Sequence, residues 1–360
     1  MNKFGNTSVG CAMAIATIQA IAVQGANFTD VLDTPTLMSP LAAKSLMQAV
    51  TVAGNRIIAV GQRGHIVISS DGGATWKQSP VPVSSDLTAV YFVDDKQGWV
   101  VGHDGVILHT SDGGEEWDLQ LEGLTANDLL VVAMDRKVTA EHSSEEAKKL
   151  LAEAQRYKEQ GADKPFLDVW FADSRNGCAV GAYNLIFCTT DGGWTWDSWF
   201  DRTENPKFFN LYAIRPAAGS VYIAGEGGLV LKLDQATQRF KAVSPQYNGS
   251  LFGVTEAKGA VVVYGLRGNV FRSGDGGAHW TKVDAGLPAT VVSATRTPQG
   301  TTILADVGGR LAASTDGAQT FTRMTLKNPM PLTAIADLGE GRLALTGPRG
   351  VTVSEALIAR

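Results

Sequence analysis

Residues 69–76 read SSDGGATW, and the frame returns as TSDGGEEW (110–117), TTDGGWTW (189–196), SGDGGAHW (273–280) and, more weakly, STDGAQTF (314–321). An acid, two glycines and a tryptophan in eight residues would suit a metal loop, a catalytic turn or a structural corner. Recurrence decides among them, because a catalytic device rarely needs five copies in one chain, whereas a repeated architecture needs a corner in every unit. The carboxylates of Asp71, Asp112, Asp191, Asp275 and Asp316 are placed to accept backbone N–H groups that follow them, and the glycines permit positive φ. Trp76, Trp117, Trp196, Trp280 and Phe321 cover each turn with apolar area. A calcium loop would need further oxygen ligands at alternating positions, where glycine and alanine stand. No metal or cofactor is expected.

Working outward, the repeat extends well beyond the corner. Units begin at residues 46, 87, 166, 210, 250, 290 and 331, and the seventh stops where its acidic turn should come. Each holds three short apolar or alternating runs separated by glycine turns, with a fourth run starting at the tryptophan. Four strands in about 40 residues is the period of a propeller blade. The expected fold is an all-β, seven-bladed β-propeller over residues 26–360. Because the seventh unit lacks its outer strand, the spare segment around Phe28 to Leu32 is expected to pair there and close the ring.

The first 25 residues carry one early lysine, Lys3, an apolar run from Val9 to Val23 and small residues after it, which reads as a secretory signal peptide. The run is shorter than the roughly 20 residues a spanning helix needs. Cys11 lacks the preceding apolar stretch of a lipidated cysteine. The mature protein is therefore expected to be exported, periplasmic or equivalent, and soluble. A formal net charge of -5 argues against a nucleic-acid partner, which would call for a basic face.

Residues 121–165 are surplus to the repeat and fall between blades two and three. Ser143 and Glu146 have capping-box spacing, and Ala147, Leu150, Leu151, Ala154 and Tyr157 recur at three and four residues, predicting an amphipathic helix that ends near Gly161. The preceding LLVVAMD (129–135) suits an extra strand or a short helix.

The corner S/T-x-D-G-G-x-x-W resembles the Asp-box, or BNR repeat, of sialidase-like propellers. The longer frame V-G-x-x-G-x-I-x-x-S/T-x-D-G-G resembles the photosystem II assembly and stability factor propellers, over about residues 46–360. That resemblance implies a seven-bladed, non-enzymatic, lumenal or periplasmic protein that binds membrane-protein partners during assembly, with an arginine-rich patch matched here by Arg63, Arg267 and Arg349. An envelope membrane protein or transporter complex is the partner class expected.

Function is expected on the face opposite the Asp-boxes, in the loops between second and third strands. Arg63, Arg267 and Arg349 share a register in GQRG, GLRG and GPRG, and Arg310 lies one position later. Blades five, six, seven and one are consecutive, so these four would form one positive arc. Blades two to four present His103 with Asp104, Tyr183 with Asn184, and Glu226. The plain alternative is four solvated turn residues. A glycoside hydrolase or carbohydrate-binding propeller is the second reading, but Asp104 and Glu226 sit on different blades without a visible pairing. Cys178 and Cys188 flank the loop GAYN. A hairpin centred near Tyr183 would set them opposite for a disulfide, and a one-residue shift would leave two buried thiols instead.

Overall fold

The computed structural model describes residues 29–142 and 144–358; the expected signal peptide, Cys11, Phe28 and Ser143 lie outside the described residues. Blades one to five are antiparallel four-stranded sheets in sequence order from the centre outward, and blades six and seven share one seven-stranded sheet. Innermost strands of neighbouring blades touch all round, and Met47–Ala53 of blade one meets Ala334–Gly339 of blade seven to close the ring. Second strands such as Gly98–Gly102 and Ala260–Gly265 are buried along their whole length. Their continuous apolar runs are what a strand sandwiched between two neighbouring blades requires.

The Asp-box is a structural corner. Ser69 Oγ donates to Asp71 Oδ1 (2.7 Å), Gly73 N donates to Ser69 Oγ (2.8 Å) and Thr75 N donates to Asp71 Oδ1 (2.9 Å). The serine or threonine repeats its bond to the acid at Thr110–Asp112, Thr189–Asp191, Ser273–Asp275 and Ser314–Asp316. Bonds from the Thr195 hydroxyl and backbone and from the Thr189 hydroxyl hold the Asp191 carboxyl down at about 2. Gly73 has φ 92°, and a Cβ there would stand 2.3 Å from Val353 Cγ2 of blade seven, so the second glycine also admits the neighbouring blade. Trp117 and Trp196 are buried, and Trp280 Nε1 reaches the Val243 carbonyl beside blade four (2.6 Å).

Blade seven corrects one expectation. The lead segment does not pair with it: Ser84 N bonds to the Val31 carbonyl (2.9 Å), Thr36 N bonds to the Val81 carbonyl (3.0 Å), and Leu32 packs on the core between blades one and two. The reason lies in blade one, whose outer strand is only Lys77–Gln78; Gln78 holds the segment by bonding Ser39 N and the Leu37 carbonyl. Among the described residues blade seven keeps three strands. Having Glu355 and Ala356 after Ser354 in place of the corner, its last strand runs on from Gly350 to Ile358, and its lower end pairs with blade six (Met324↔Ile358, Leu326↔Ala356).

The insertion forms a helical hairpin, α1 (Gly123–Ala140) and α2 (Glu145–Gln160). The stretch 129–135 is the middle of α1, and Ser144 caps α2 by accepting from Ala147 N. The apolar stripe Ala147, Leu150, Ala154 and Tyr157 is buried, and the last three join the cores of blades two and three. Cys178 and Cys188 stand directly opposite each other and are joined by a disulfide, with Cα atoms 4.1 Å apart. No helix among the described residues is long and apolar enough to cross a membrane.

A candidate docking face of loop apices

In blades one to five the loop between the second and third strands tightens into one helical turn, and its apex has a left-handed backbone. Arg63 (φ 56°), Asp104 (57°), Tyr183 (52°), Gly227 (63°) and Arg267 (56°) occupy equivalent positions. Left-handed geometry costs an L-residue with a Cβ about 1–2 kcal/mol, and glycine almost nothing. Four of these five apices nevertheless carry a residue other than glycine. The geometry is held from the following blade connection: Asp86 Oδ1 accepts Arg63 N (2.7 Å), Asn210 Oδ1 accepts Tyr183 N (2.8 Å) and Thr290 Oγ1 accepts Arg267 N (3.4 Å).

Arg63 and Arg267 are exposed at these apices, in blades one and five. Arg349 is exposed on the same face, but its loop is one residue shorter, residues 347–350 between Thr346 and Val351 against residues 61–65 between Val60 and Ile66, so it stands in a two-residue hairpin turn without positive φ. Its shared register is a likeness of sequence and not of backbone. Arg310 departs further from expectation. Its Nη1 pairs with Asp306 Oδ2 (3.3 Å) and its N–H with Oδ1 (2.9 Å), and that carboxylate is wholly buried. Arg310, itself half exposed, is thus paired with a buried carboxylate, whereas Arg267, Arg349 and Arg63 form no ion pair among the described residues.

On the opposite side the insertion sits on the loops of blades two and three. The Tyr157 hydroxyl donates to the Tyr183 carbonyl (2.9 Å), their rings lie 6.4 Å apart, and Gly123 abuts Asp104. Tyr183 stays half exposed and His103 exposed, while Glu226 is half-buried with Oε2 accepting Asn210 N (3.2 Å). The predicted residues thus share a face, divided into a cationic side and a side built up by helices.

The ring's centre lies outside the loop face and its motifs. A channel of about 730 Å³ is lined by the innermost strands of all seven blades. Among the described residues its lining includes two ion pairs between blades, Arg215–Asp168 (2.6 Å) and Arg296–Glu256 (3.1 Å), and the neighbouring rings of Tyr212 and Phe252 (5.0 Å). Burial raises the Asp168 carboxyl against the pull of Arg215. The sign available in the sequence was a charge inside an apolar inner strand, as in FLDVWF and LYAIRPA. Asp168 and Glu256 are each engaged by an arginine. Asp104 and Glu226 stand on blades two and four, with blade three between them.

The propeller has solved relatives in fold. A structure described as YCF48 bound to D1 peptide superposes with a TM-score of 0.61 at 16% identity, over 88% of this chain and 95% of that one. YCF48 from Cyanidioschyzon merolae gives 0.59 at 18% identity, over 88% and 97%. In sequence, the photosystem II assembly lipoprotein Ycf48 of Synechococcus sp. (strain CC9902) is 26% identical over 220 residues, 56% of this chain and 53% of the relative. The chloroplast photosystem II stability/assembly factor HCF136 of Oryza sativa subsp. japonica is 30% identical over 93 residues, 24% of this chain and 21% of the relative. The chain thus aligns with about half the length, or less, of these curated relatives. The profile of the family described as photosynthesis system II assembly factor YCF48 matches residues 49–152 and 147–321. Taken with the propeller, its Asp-box corners and the seven-unit frame, that match means the chain belongs to the YCF48 family of assembly factors.

Proposed function

We propose that this protein is a non-enzymatic, exported scaffold whose loop face holds a segment of an envelope membrane protein during assembly of its complex. One observation carries the reading. Arg63 and Arg267 keep exposed guanidinium groups on left-handed backbone that glycine, as at Gly227, occupies without strain. Solvated turn residues would not need that cost. An arginine offers charge-assisted, bidentate bonds to carboxylates, and three on one rim steer an acidic segment to a preformed surface. The relatives' names point the same way: one is described bound to a peptide of D1, and others as assembly factors of a photosystem. The partner here is defined only by chemistry, an acidic segment of a membrane protein.

Replacing Arg63, Arg267 and Arg349 together by Gln should abolish capture of the partner from solubilised membranes, and with it the salt dependence of capture. Thermal stability should hold or rise, because exposed arginines contribute little to it. Undiminished capture by the triple variant would overturn the reading. Turnover of a fluorogenic glycoside by the wild type, lost on changing Asp104, Tyr183 or Glu226, would favour the hydrolase instead.

A further inference from the structure

Among the described residues the third strand of blade seven has no outer strand beside Val351–Val353, although Ala42–Lys44 packs at its Gly350 end, and the sibling blades show what belongs there. Counting from the first pair after the loop, Val351, Thr352 and Val353 correspond to Val270, Phe271 and Arg272 of blade five. Those three hold an outer strand in the register Val270↔Val283, Phe271↔Lys282, Arg272↔Thr281, and blade six repeats the register with Leu311↔Met324 and Ala313↔Thr322. In blade seven the Glu355 carbonyl accepts Lys327 N from the outer side (3.1 Å). Backbone groups alternate along a strand, so Val353 and Val351 aim their N–H and C=O outward as well. Neither has a partner there among the described residues.

We propose that this free edge of Gly350–Ile358 accepts an extended segment of the partner protein as a fourth, antiparallel strand. The inference rests on the proposed polypeptide partner and deepens it. Natural edges are guarded by charge, proline or a bulge, yet Gly350–Ser354 reads GVTVS, neutral and β-branched. Strand addition draws affinity from the backbone and specificity from alternate side chains. Val351 and Val353 pack toward the core shared with blade one, while Thr352 is exposed. The incoming residues opposite the valines should therefore be apolar or β-branched, and the one between them polar. An antiparallel segment runs toward Arg349, so an acid should follow. The strand leads directly into the turn that carries Arg349, with Ala42–Lys44 packed beside Gly350, so a partner segment on the edge would end near that arginine and Lys44.

The chain's own blade-five strand has this pattern, Thr281-Lys282-Val283-Asp284, so the probe is a synthetic peptide of residues 279–285, HWTKVDA. Hydrogen exchange on the full chain should find the amides of Val351 and Val353 fast, and the peptide should slow both by about tenfold or more. N-methylation of the peptide at Thr281 or Val283 should remove the protection, whereas N-methylation at Lys282, whose N–H points away, should not. Excess peptide should also lower capture of the membrane partner. Amides at 351 and 353 that are already as slow in the free chain as that of Arg272 would overturn the proposal, since the leader or a second copy would then occupy the edge. Protection indifferent to the methylated position would overturn it too. If the peptide binds but capture is undiminished, the edge does not serve the partner, while the loop-face reading stands on its own arginine variants.

Discussion

Blades two and three are packed with large rings, and blades six and seven with almost none. The first core contains Trp99, Phe166, Phe171, Phe187, Trp196 and Phe200 and takes in Tyr157 from α2; the Trp99 and Phe171 rings stack 3.5 Å apart. The second is built from Ile303, Ala305, Leu311, Ala313, Leu332, Ile335, Leu343 and Leu345. One repeat frame thus tolerates very different core volume, provided the wedge between blades is filled some other way. On the aromatic side the insertion enlarges the core; on the aliphatic side the two blades share a sheet through Met324–Leu326 and Ala356–Ile358. Rigidity should differ accordingly, because local opening is easiest where few apolar contacts hold an element.

The largest effect expected is from Trp99→Ala, which empties a fully buried site and should cost about 3–5 kcal/mol in chemical denaturation. Since the insertion leans on this core, α1 and α2 should lose exchange protection together with blades two and three. A loss below about 1 kcal/mol would break the contrast, because a side chain that size is costly to remove only where packing cannot relax.

Leu345→Ala, also at a fully buried position, should cost about 2–3 kcal/mol, the low end of its class, since small neighbours can close in. The damage should appear as faster exchange over residues 334–358 with blades two and three unchanged. Uniform acceleration around the ring would mean that the two halves open as one.

The smallest effect is a pH step confined to the corners. Asp191 sits at about 2, below the roughly 3.9 of a free aspartate. A carboxyl depressed by folding contributes its stability above the unfolded value and loses it as pH falls through the folded one. Protection factors at residues 189–196, each referred to the intrinsic exchange rate at that pH, should therefore fall as pH falls from about 4 to about 2. Blade seven, which has no such corner, should show no matching step.

What the sequence disclosed follows from the same division between local and distant causes. The corners were legible because Ser, Asp, Gly and Trp complete their bonds within eight residues, and repetition made the blade count readable. The amphipathic helix was legible from its own period, though 129–135 was not, since that stretch is apolar whichever way it folds. The fate of the lead segment was hidden because Gln78, remote from it in the chain, decides where Ser39 docks. Arg310 could not be told from its neighbours in the arc, because only the fold buries Asp306 beneath it. The channel's ion pairs join blades about 40 residues apart, and no local pattern announces such a partner.

The left-handed apices carry a consequence for how the protein responds to mutation. Glycine at 63 or 267 would relax the backbone, so a library of variants sorted only for resistance to heat should enrich it there. The same library sorted for capture of the membrane partner should purge it. Positions where the two sortings disagree would outline the docking face from selection alone, before the partner has a name.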